Sequence, residues 1–285
     1  MSEDNPRKKP AWLKVTGFTG AGYEGVRGLL KQYGLNTVCQ AANCPNRGEC
    51  FNRGTATFLI LGPNCTRNCR FCNVTPGKPK PPDPSEPSRI AAAALKLKLR
   101  HVVITSVTRD DLPDGGARQF AETIRAIRGH LPESTIEVLT PDFKDVPDAL
   151  DIVMAAQPDV FNHNIETVPR LYGEARPGAD YHRSLALLLE AHDRFGAFTK
   201  SGLMMGLGER TDEIKEVFAD LAANQIEMLT IGQYLSPSKE HLPVSRYVPP
   251  EEFDSLAELA RAMGIRKVFS GPLVRSSYLA DTQLS

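Results

Sequence analysis

Short apolar runs alternate with longer amphipathic stretches along most of the chain. Each run has the length and the Val, Ile, Leu and Phe content of a buried strand, and each is followed by a stretch with helical spacing. Strands are predicted at 55–62, 101–107, 134–140, 159–164, 198–206 and 228–234, and helices at 88–99, 115–129, 146–156, 181–195, 211–223 and 250–263. A short run at 266–271 predicts a final strand that begins a partial seventh unit.

This alternation predicts an α/β protein with a parallel sheet, because parallel neighbours need a crossover connection and a helix usually provides it. Six units favour a closed or partly closed barrel over a doubly wound sheet. No Gly-x-Gly-x-x-Gly follows the first strand, which weighs against a dinucleotide-binding fold.

The segments that precede and interrupt this pattern have a different character. Residues 1–35 are polar and Gly-rich, with one short helix predicted around 23–33. Residues 36–54 carry Asn, Pro and Gly among three cysteines and are predicted to form a loop. The stretch 78–88 is too Pro-rich for a helix or a central strand.

Composition and charge exclude several classes of function. The 285 residues include 34 Lys and Arg against 34 Asp and Glu, and 41% are hydrophobic, as in an ordinary globular protein. The balanced charge argues against a protein that coats nucleic acid or membrane electrostatically. No apolar run approaches the about 20 residues that span a bilayer, and the N-terminus lacks the apolar core of a secretory signal. We therefore expect a cytoplasmic protein without a nucleic-acid or membrane partner.

All six cysteines lie between Cys39 and Cys72. A disulfide scaffold normally spreads its bridges through a small secreted chain. Clustered thiols in a reducing compartment point to metal ligation instead.

Cys65, Cys69 and Cys72, hereafter the loop trio, have the spacing C-x3-C-x2-C directly after the first predicted strand. In a parallel barrel, the active-site groups lie at the carboxyl ends of the strands, where this loop is expected. Three thiolates can hold three irons of a 4Fe–4S cluster and leave the fourth iron open for a cofactor. The alternative is a structural zinc site, but zinc usually takes four ligands in two close pairs. The spacing resembles the signature of radical S-adenosylmethionine enzymes, including the aromatic Phe71 before the third cysteine.

Cys39, Cys44 and Cys50, hereafter the N-terminal trio, have the spacing C-x4-C-x5-C. Alone, this motif is weaker, and it could be half of a zinc site shared with the loop trio. Two separate trios instead indicate two clusters, each one ligand short. The second cluster then needs a ligand of another type from elsewhere in the chain.

The two trios together with the run RSSY near the C-terminus resemble the lipoyl synthase family. The resemblance extends from residue 36 onward, through TVCQAANCPN, ATFLILG, TRDDLPDGG, PDF, HNIETVPR, TKSGLMMGLGE, QYLSPS and GPLVRSSY. It implies a partial (β/α)6 barrel of the TIM type with extensions at both ends that carry an auxiliary cluster. The implied domains are an N-terminal extension (1–54), the radical S-adenosylmethionine barrel (55–264) and a C-terminal extension (265–285).

The resemblance also implies a reaction and its cofactors. The enzymes of this family insert two sulfur atoms, at C6 and C8, into an octanoyl chain carried on a lysine, using S-adenosylmethionine and two 4Fe–4S clusters. Ser277 is then the fourth ligand of the auxiliary cluster, whereas without the resemblance the RSSY run is most simply a solvated tail. The implied partners are octanoylated carrier domains, either of 2-oxoacid dehydrogenase E2 or of the glycine cleavage H protein, and a reductant such as ferredoxin or flavodoxin.

Several further residues are candidates for cofactor contacts. Asn164 and Glu166 follow a predicted strand and could bind the ribose and amino groups of S-adenosylmethionine, although a helix N-cap explains the pair equally well. Thr105, Arg176 and Arg183 are weaker candidates, since each is more often a capping or surface residue.

Other polar residues have a simpler explanation. The loop 108–116 has the composition of a turn, and the histidines are expected to be structural, with His163 the exception to consider. Lys200, Arg246 and Arg275 are possible contacts for an acidic carrier surface.

Two other functions compete with this interpretation. A radical S-adenosylmethionine enzyme that makes a different C–S bond would share the loop trio but not the N-terminal trio and RSSY. A zinc-binding interaction module would be colourless when purified anaerobically, whereas iron–sulfur clusters give a brown protein.

Overall fold

The computed structural model describes residues 9–15, 17–144 and 146–284 of the chain. The strands are β1 (Asn36–Thr37), β2 (Thr57–Ile60), β3 (Asn64–Cys65), β4 (Thr75–Pro76), β5 (His101–Ser106), β6 (Thr135–Leu139), β7 (Val160–Asn162), β8 (Phe198–Met205), β9 (Met228–Gln233) and β10 (Lys267–Gly271). The α-helices are α1 (Ala21–Gln32), α2 (Val38–Ala41), α3 (Arg47–Asn52), α4 (Glu86–Lys96), α5 (Ala117–His130), α6 (Ala149–Met154), α7 (Tyr172–Ala175), α8 (Tyr181–Phe195), α9 (Thr211–Ala223), α10 (Pro250–Ala262) and α11 (Ala280–Gln283). Short 3₁₀ helices lie at Ala11–Leu13 and Pro169–Leu171.

Eight strands form one sheet in the order β1-β2-β5-β6-β7-β8-β9-β10. All neighbours are parallel except β1, which runs antiparallel to β2. Strands that follow one another along the chain are neighbours in the sheet, with helices between most of them, which is the winding of a TIM-type barrel. Among the described strands, β10 does not pair back with β1 or β2, so the barrel is partial. The predicted α/β class and partial barrel are confirmed.

The strands and helices form for the reasons that the sequence pattern indicated. All residues of β2 and β9 are buried, as expected for strands covered on both faces. Helix α8 begins at the Asp180 cap, whose side chain accepts a hydrogen bond from the Arg183 N–H at 2.7 Å, and it ends at left-handed Gly196. Its apolar face packs into the continuous core between sheet and helices.

Two local predictions were wrong. Residues 36–54 do not form a plain loop, because they contain β1, α2 and α3. The Thr37 side chain caps α2 by accepting a hydrogen bond from the Gln40 N–H, which compensates for the poor helix propensity of the segment. Helix α4 begins inside the Pro-rich stretch, since Pro87 lies in its first turn, where a missing N–H costs nothing. The predicted final strand is confirmed as β10.

After β10 the chain turns back over the sheet, and two strand glycines give it room. A Cβ on Gly232 of β9 would lie 2.1 Å from the Val274 carbonyl oxygen. A Cβ on Gly202 of β8 would lie 2.7 Å from the Asn164 Oδ1 and 3.0 Å from the Ser276 Oγ. The Asn164 side chain and Ser276 of the C-terminal segment therefore occupy the space over Gly202.

We expect Gly232→Ala to displace this segment. The added methyl group overlaps a backbone oxygen, which cannot rotate away, so the free energy of unfolding should fall by about 1–3 kcal/mol. Denaturant unfolding and amide hydrogen exchange over 272–284 measure the effect. Gly129→Ala on α5 is the matched control, because no atom lies within 4 Å of its Cβ position and Ala favours a helix. Unchanged stability and tail protection in Gly232→Ala would contradict the close packing.

Among the described residues, no helix is both long and apolar enough to cross a membrane.

Candidate active site

The loop trio lies at the carboxyl end of β2, at the mouth of the barrel. The Cys65 Sγ accepts hydrogen bonds from two backbone N–H groups, those of Arg67 at 3.4 Å and Thr108 at 3.3 Å. Cys69 and Cys72 form one turn, in which the Cys72 N–H donates to the Cys69 carbonyl at 3.0 Å. Backbone N–H groups directed at a sulfur stabilise negative charge on it, as a cluster-bound thiolate requires.

An ion-pair network fixes the loop between these cysteines. The buried Arg67 guanidinium binds Asp110 with two hydrogen bonds of 2.7 and 2.8 Å and also lies 2.7 Å from Asp142. Burial alone would raise the pKa of Asp142, but its hydrogen bond and ion pair with Arg67 outweigh burial and lower it to about 2. The loop 108–116, which the sequence assigned to simple turn chemistry, therefore also holds the cysteine loop in place.

The electrostatics of the loop trio suit a metal cluster. Burial raises the pKa of the Cys72 thiol to about 12 and raises that of Cys69, and in both cases the neighbouring thiols of the trio add to the effect. Thiols in such a setting lose their protons when a cation takes the proton's place. The three sulfurs are therefore close enough to interact, and bound metal would stabilise them as thiolates.

The N-terminal trio lines a cavity beside the amino ends of β2 and β5, whose first residues, Thr57 and His101, line it too. Cys39 lies in α2, Cys50 in α3, and Cys44 in the turn between them. Burial, with a smaller repulsion from Cys44, raises the pKa of Cys39 to about 11. Burial and the other two thiols raise the pKa of Cys50 to about 12. The donor set again fits a cationic cluster, and Ser277 lines the same cavity.

The six thiols are free of disulfide bonds. Within the described ranges, no three His, Cys, Asp or Glu side chains converge as they would around a single metal ion. A 4Fe–4S cluster does not need such convergence, because it takes one thiolate at each of several irons.

The C-terminal segment brings RSSY into contact with the N-terminal extension. The Thr57 hydroxyl donates to the Ser277 Oγ at 2.8 Å, and the Tyr278 hydroxyl donates to the Glu49 carboxylate at 3.0 Å. The Asn46 side chain donates to the Leu273 carbonyl at 2.7 Å. RSSY is therefore not a solvated tail, since its side chains are anchored by residues of the N-terminal half.

Asn164 and Glu166 lie together at the carboxyl end of β7. The Asn164 side chain donates to Glu166 at 3.1 Å and accepts from the Ser276 hydroxyl at 3.0 Å. Neither caps a helix here, so that alternative does not explain the pair. Glu166 has a left-handed backbone with φ of +70°, an uncommon conformation for a residue with a side chain.

Two arginines flank the Glu166 carboxylate. Burial raises the pKa of Glu166, and the charges of Arg176 and Arg275 oppose that rise. The Arg176 guanidinium is buried and donates to the Asn164 carbonyl at 2.9 Å. The Arg275 guanidinium interacts with both Glu166 and Cys44. The Glu166 charge also raises the pKa of Cys69, so Glu166 lies near the loop trio as well as near Arg275.

Other candidates have partners of their own. The Thr105 hydroxyl donates to the Leu139 carbonyl at 3.0 Å, within the sheet. The Arg183 side chain donates to Asp142 at 3.0 Å, so it reaches the loop trio only through the network around Arg67. His163 is buried between the Thr140 carbonyl and the Ser184 hydroxyl, and burial together with the Arg176 charge lowers its pKa to about 4. His163 is thus a structural side chain.

The three residues suggested as contacts for a carrier surface have different environments in the structure. Lys200 was wrongly predicted, because it is 1% exposed and pairs with Glu137 inside the barrel. Arg246 is exposed, but its charge is paired with Glu252. Arg275 faces the trios rather than the outer surface.

Sequence reasoning missed the supporting residues of the site. Thr57 contacts Ser277 across 220 sequence positions, and nothing in the strand pattern marks it. Arg67 lies in the cysteine loop and Asp142 in the PDF run, and both stretches carry the family resemblance. The opposite charges of these two residues were the available signal for the buried ion pair between them.

Comparisons with known proteins agree on a family. The model of the radical SAM superfamily matches residues 59–221. Lipoyl synthase of Methylococcus capsulatus is 58% identical over 280 residues, covering 98% of this chain and 87% of the relative. Lipoyl synthases of Dechloromonas aromatica and Chlorobium phaeovibrioides are 55% and 54% identical, covering 98% and 97% of this chain and 90% and 98% of the relatives.

Solved structures show the same fold at low sequence identity. The hydrogenase maturase HydG is 14% identical with a TM-score of 0.58, covering 86% of this chain and 65% of its own. Streptococcus suis SuiB bound to S-adenosylmethionine is 14% identical with a TM-score of 0.56, covering 84% of this chain and 51% of its own, so this chain spans about half the length of SuiB. The identity over nearly the full length of the curated relatives is decisive: the chain belongs to the lipoyl synthase family, within the radical SAM superfamily.

Proposed function

We propose that this chain carries two 4Fe–4S clusters, one on each trio, and that Ser277 is the fourth ligand of the cluster on the N-terminal trio. As a lipoyl synthase, the chain inserts two sulfur atoms, at C6 and C8, into a protein-bound octanoyl group, using S-adenosylmethionine and a 4Fe–4S cluster. The second cluster and the site residues are the part that we propose.

One observation carries the proposal. Ser277 and the three cysteines of the N-terminal trio line one cavity, although more than 200 residues separate them along the chain. The hydrogen bond from Thr57 holds the Ser277 oxygen in this cavity of thiols. This placement supports a role as a cluster ligand.

Each residue group has its own task in this scheme. When bound, the cluster of the loop trio supplies the electron that cleaves S-adenosylmethionine to a radical, and the second cluster supplies sulfur. Asn164 and Glu166 at the end of β7 hold the polar groups of S-adenosylmethionine between the trios. Arg176 fixes the backbone of that segment through the Asn164 carbonyl, and Arg67 fixes the cysteine loop.

The ligand chemistry of Ser277 suits a cluster that gives up sulfur. An alkoxide is a harder ligand than a thiolate and is protonated more easily, so its bond to iron breaks more readily. Thr57 donates a hydrogen bond to the Ser277 oxygen, and this hydrogen bond would form again once the oxygen leaves the iron. A cluster that is consumed limits the chain to about one product until the cluster is rebuilt.

The finer assignment of partners is also proposed. The substrate that accepts the two sulfur atoms is an octanoylated lysine on a carrier domain of 2-oxoacid dehydrogenase E2 or on the glycine cleavage H protein, and ferredoxin or flavodoxin supplies electrons. Six free thiols that must stay reduced for cluster assembly support the cytoplasm as the compartment.

Replacing each of the two neighbouring serines in turn tests whether Ser277 is the ligand. Ser277→Ala should retain 5′-deoxyadenosine formation and lower the lipoyl yield on an octanoyl-lysine peptide by on the order of 10- to 100-fold. Ser276→Ala is the contrasting variant: its hydroxyl contacts Asn164 and does not line the cavity of the N-terminal trio, so any loss should appear in 5′-deoxyadenosine formation instead. Ser277→Cys should bind its cluster more tightly and also transfer sulfur poorly. Normal lipoyl yield from Ser277→Ala would contradict the assignment.

A further inference from the structure

Three buried polar side chains lie where the C-terminal segment meets the inside of the barrel. Glu137 lies on β6, Lys200 on β8, and Gln283 on the last helix, α11. Glu137 and Lys200 are each 1% exposed, and Gln283 is 2% exposed. We propose that these three residues, hereafter the tail latch, hold the C-terminal segment and thereby position Ser277 beside the N-terminal trio. The inference rests on the proposed role of Ser277 as a ligand.

The Lys200 ammonium group joins the barrel to the tail. Its Nζ donates to the Glu137 carboxylate oxygens at 2.9 and 3.2 Å and to the Gln283 Oε1 at 2.7 Å. A buried ammonium has three donors and needs three acceptors, because no solvent compensates a missing one. Two of the three acceptors come from the barrel and the third from the tail, so the charge is satisfied only while the tail is docked.

The Gln283 side-chain amide also contacts the turn that contains RSSY. Its Nε2 donates to the Tyr278 carbonyl at 2.7 Å, while its Oε1 faces Lys200. The Tyr278 N–H in turn donates to the Arg275 carbonyl at 3.0 Å and closes the turn that contains Ser277. One side chain thus connects the barrel interior with the residue next to Ser277.

Glu137 is held firmly enough to anchor the latch. Its carboxylate also accepts from the Asn162 side chain at 2.9 Å and lies 3.1 Å from the His101 ring. Burial alone would raise the pKa of Glu137, but Lys200 and His101 outweigh burial and lower it to about 2. The latch residues do not line the cavity of the N-terminal trio, so they are positioning residues rather than ligands.

A buried ion pair that only stabilised the barrel would have a different effect from a latch. Loss of such an ion pair would lower the stability of the whole chain, whereas loss of a latch releases only the C-terminal segment. Two features favour the latch: a tail residue supplies an acceptor for Lys200, and the Gln283 donor is directed to the RSSY turn.

Gln283→Met in the full-length, reconstituted protein tests the inference. Met has a similar length but makes neither hydrogen bond. We expect 5′-deoxyadenosine formation to persist, while the Mössbauer signal of the serine-bound iron and the lipoyl yield fall about tenfold. Amides over 274–284 should exchange faster, with those of the barrel strands unchanged. Gln119→Met is the matched control, since Gln119 is also buried and hydrogen-bonded but lies on α5, away from the tail.

The outcomes separate this inference from the proposed function. A wild-type Mössbauer signal in Gln283→Met, together with a defective Ser277→Ala, overturns the latch alone. A normal Ser277→Ala overturns the ligand assignment whatever Gln283 does. Should Gln283→Met not fold, the double variant Glu137→Gln with Lys200→Met removes both buried charges together. It should lose the same signal, and a wild-type signal from it overturns the latch.

Discussion

Replacing all three cysteines of the loop trio with Ala should abolish the cleavage of S-adenosylmethionine and remove half of the bound iron. In the proposed cluster each thiolate holds one iron, so without the three thiolates no cluster would remain to deliver the electron. The backbone around Cys65 directs two N–H groups at its sulfur, and Ala offers no acceptor in its place. Anaerobic iron and sulfide analysis and 5′-deoxyadenosine quantification measure the result.

The fold of this variant should survive, because the loop is also held by the ion pairs of Arg67 with Asp110 and Asp142. Circular dichroism and the retained cluster of the N-terminal trio serve as controls for folding. Persistent cleavage of S-adenosylmethionine by the folded variant would show that the loop trio has been assigned the wrong role.

Replacing all three cysteines of the N-terminal trio with Ala should leave 5′-deoxyadenosine formation intact and eliminate the lipoyl product. Arg275 interacts electrostatically with Cys44 of the N-terminal trio, whereas Cys69 of the loop trio interacts with Arg176 and Arg67, so the proposed radical-generating site should keep its own surroundings. Product analysis on an octanoyl-lysine peptide by mass spectrometry, under single-turnover conditions, measures the loss.

The two triple variants control for each other, because each removes three thiols and leaves one trio intact. Lipoyl product at the wild-type yield from the variant lacking the N-terminal trio would exclude that trio as the holder of the sulfur donor.

A parallel reaction with free octanoate tests the substrate: conversion as fast as that of the octanoyl-lysine peptide would contradict a carrier-bound acyl group.

Local sequence pattern predicted most of the barrel elements within a few residues. Helix α9 and the strand β8 were correct nearly to the residue, because apolar periodicity and caps are set by neighbouring residues. The segment 36–54 was missed, since its short helices depend on the Thr37 cap and on packing of α3 against α1 rather than on propensity.

The candidate site likewise combines features that local sequence sets with features that only the fold sets. The spacing of the cysteines within each trio is local, and the sequence alone was enough to predict iron–sulfur chemistry from it. The environment of Lys200 was not predictable, because its strand pattern is the same whether its ammonium faces solvent or the buried Glu137. Burial inside a partial barrel follows from the strand order, which no single segment contains.

The sequence by itself determined the alternation of parallel strands and helices, the two sets of three thiols and their family. Only the tertiary structure brought Ser277 into the cavity of the N-terminal trio and Gln283 onto Lys200. The residues that line this cavity lie up to 238 positions apart, from Cys39 to Ser277. These contacts exist because Gly202 and Gly232 leave space over β8 and β9 for the returning chain, and such a fit depends on backbone placement in three dimensions rather than on the order of residues.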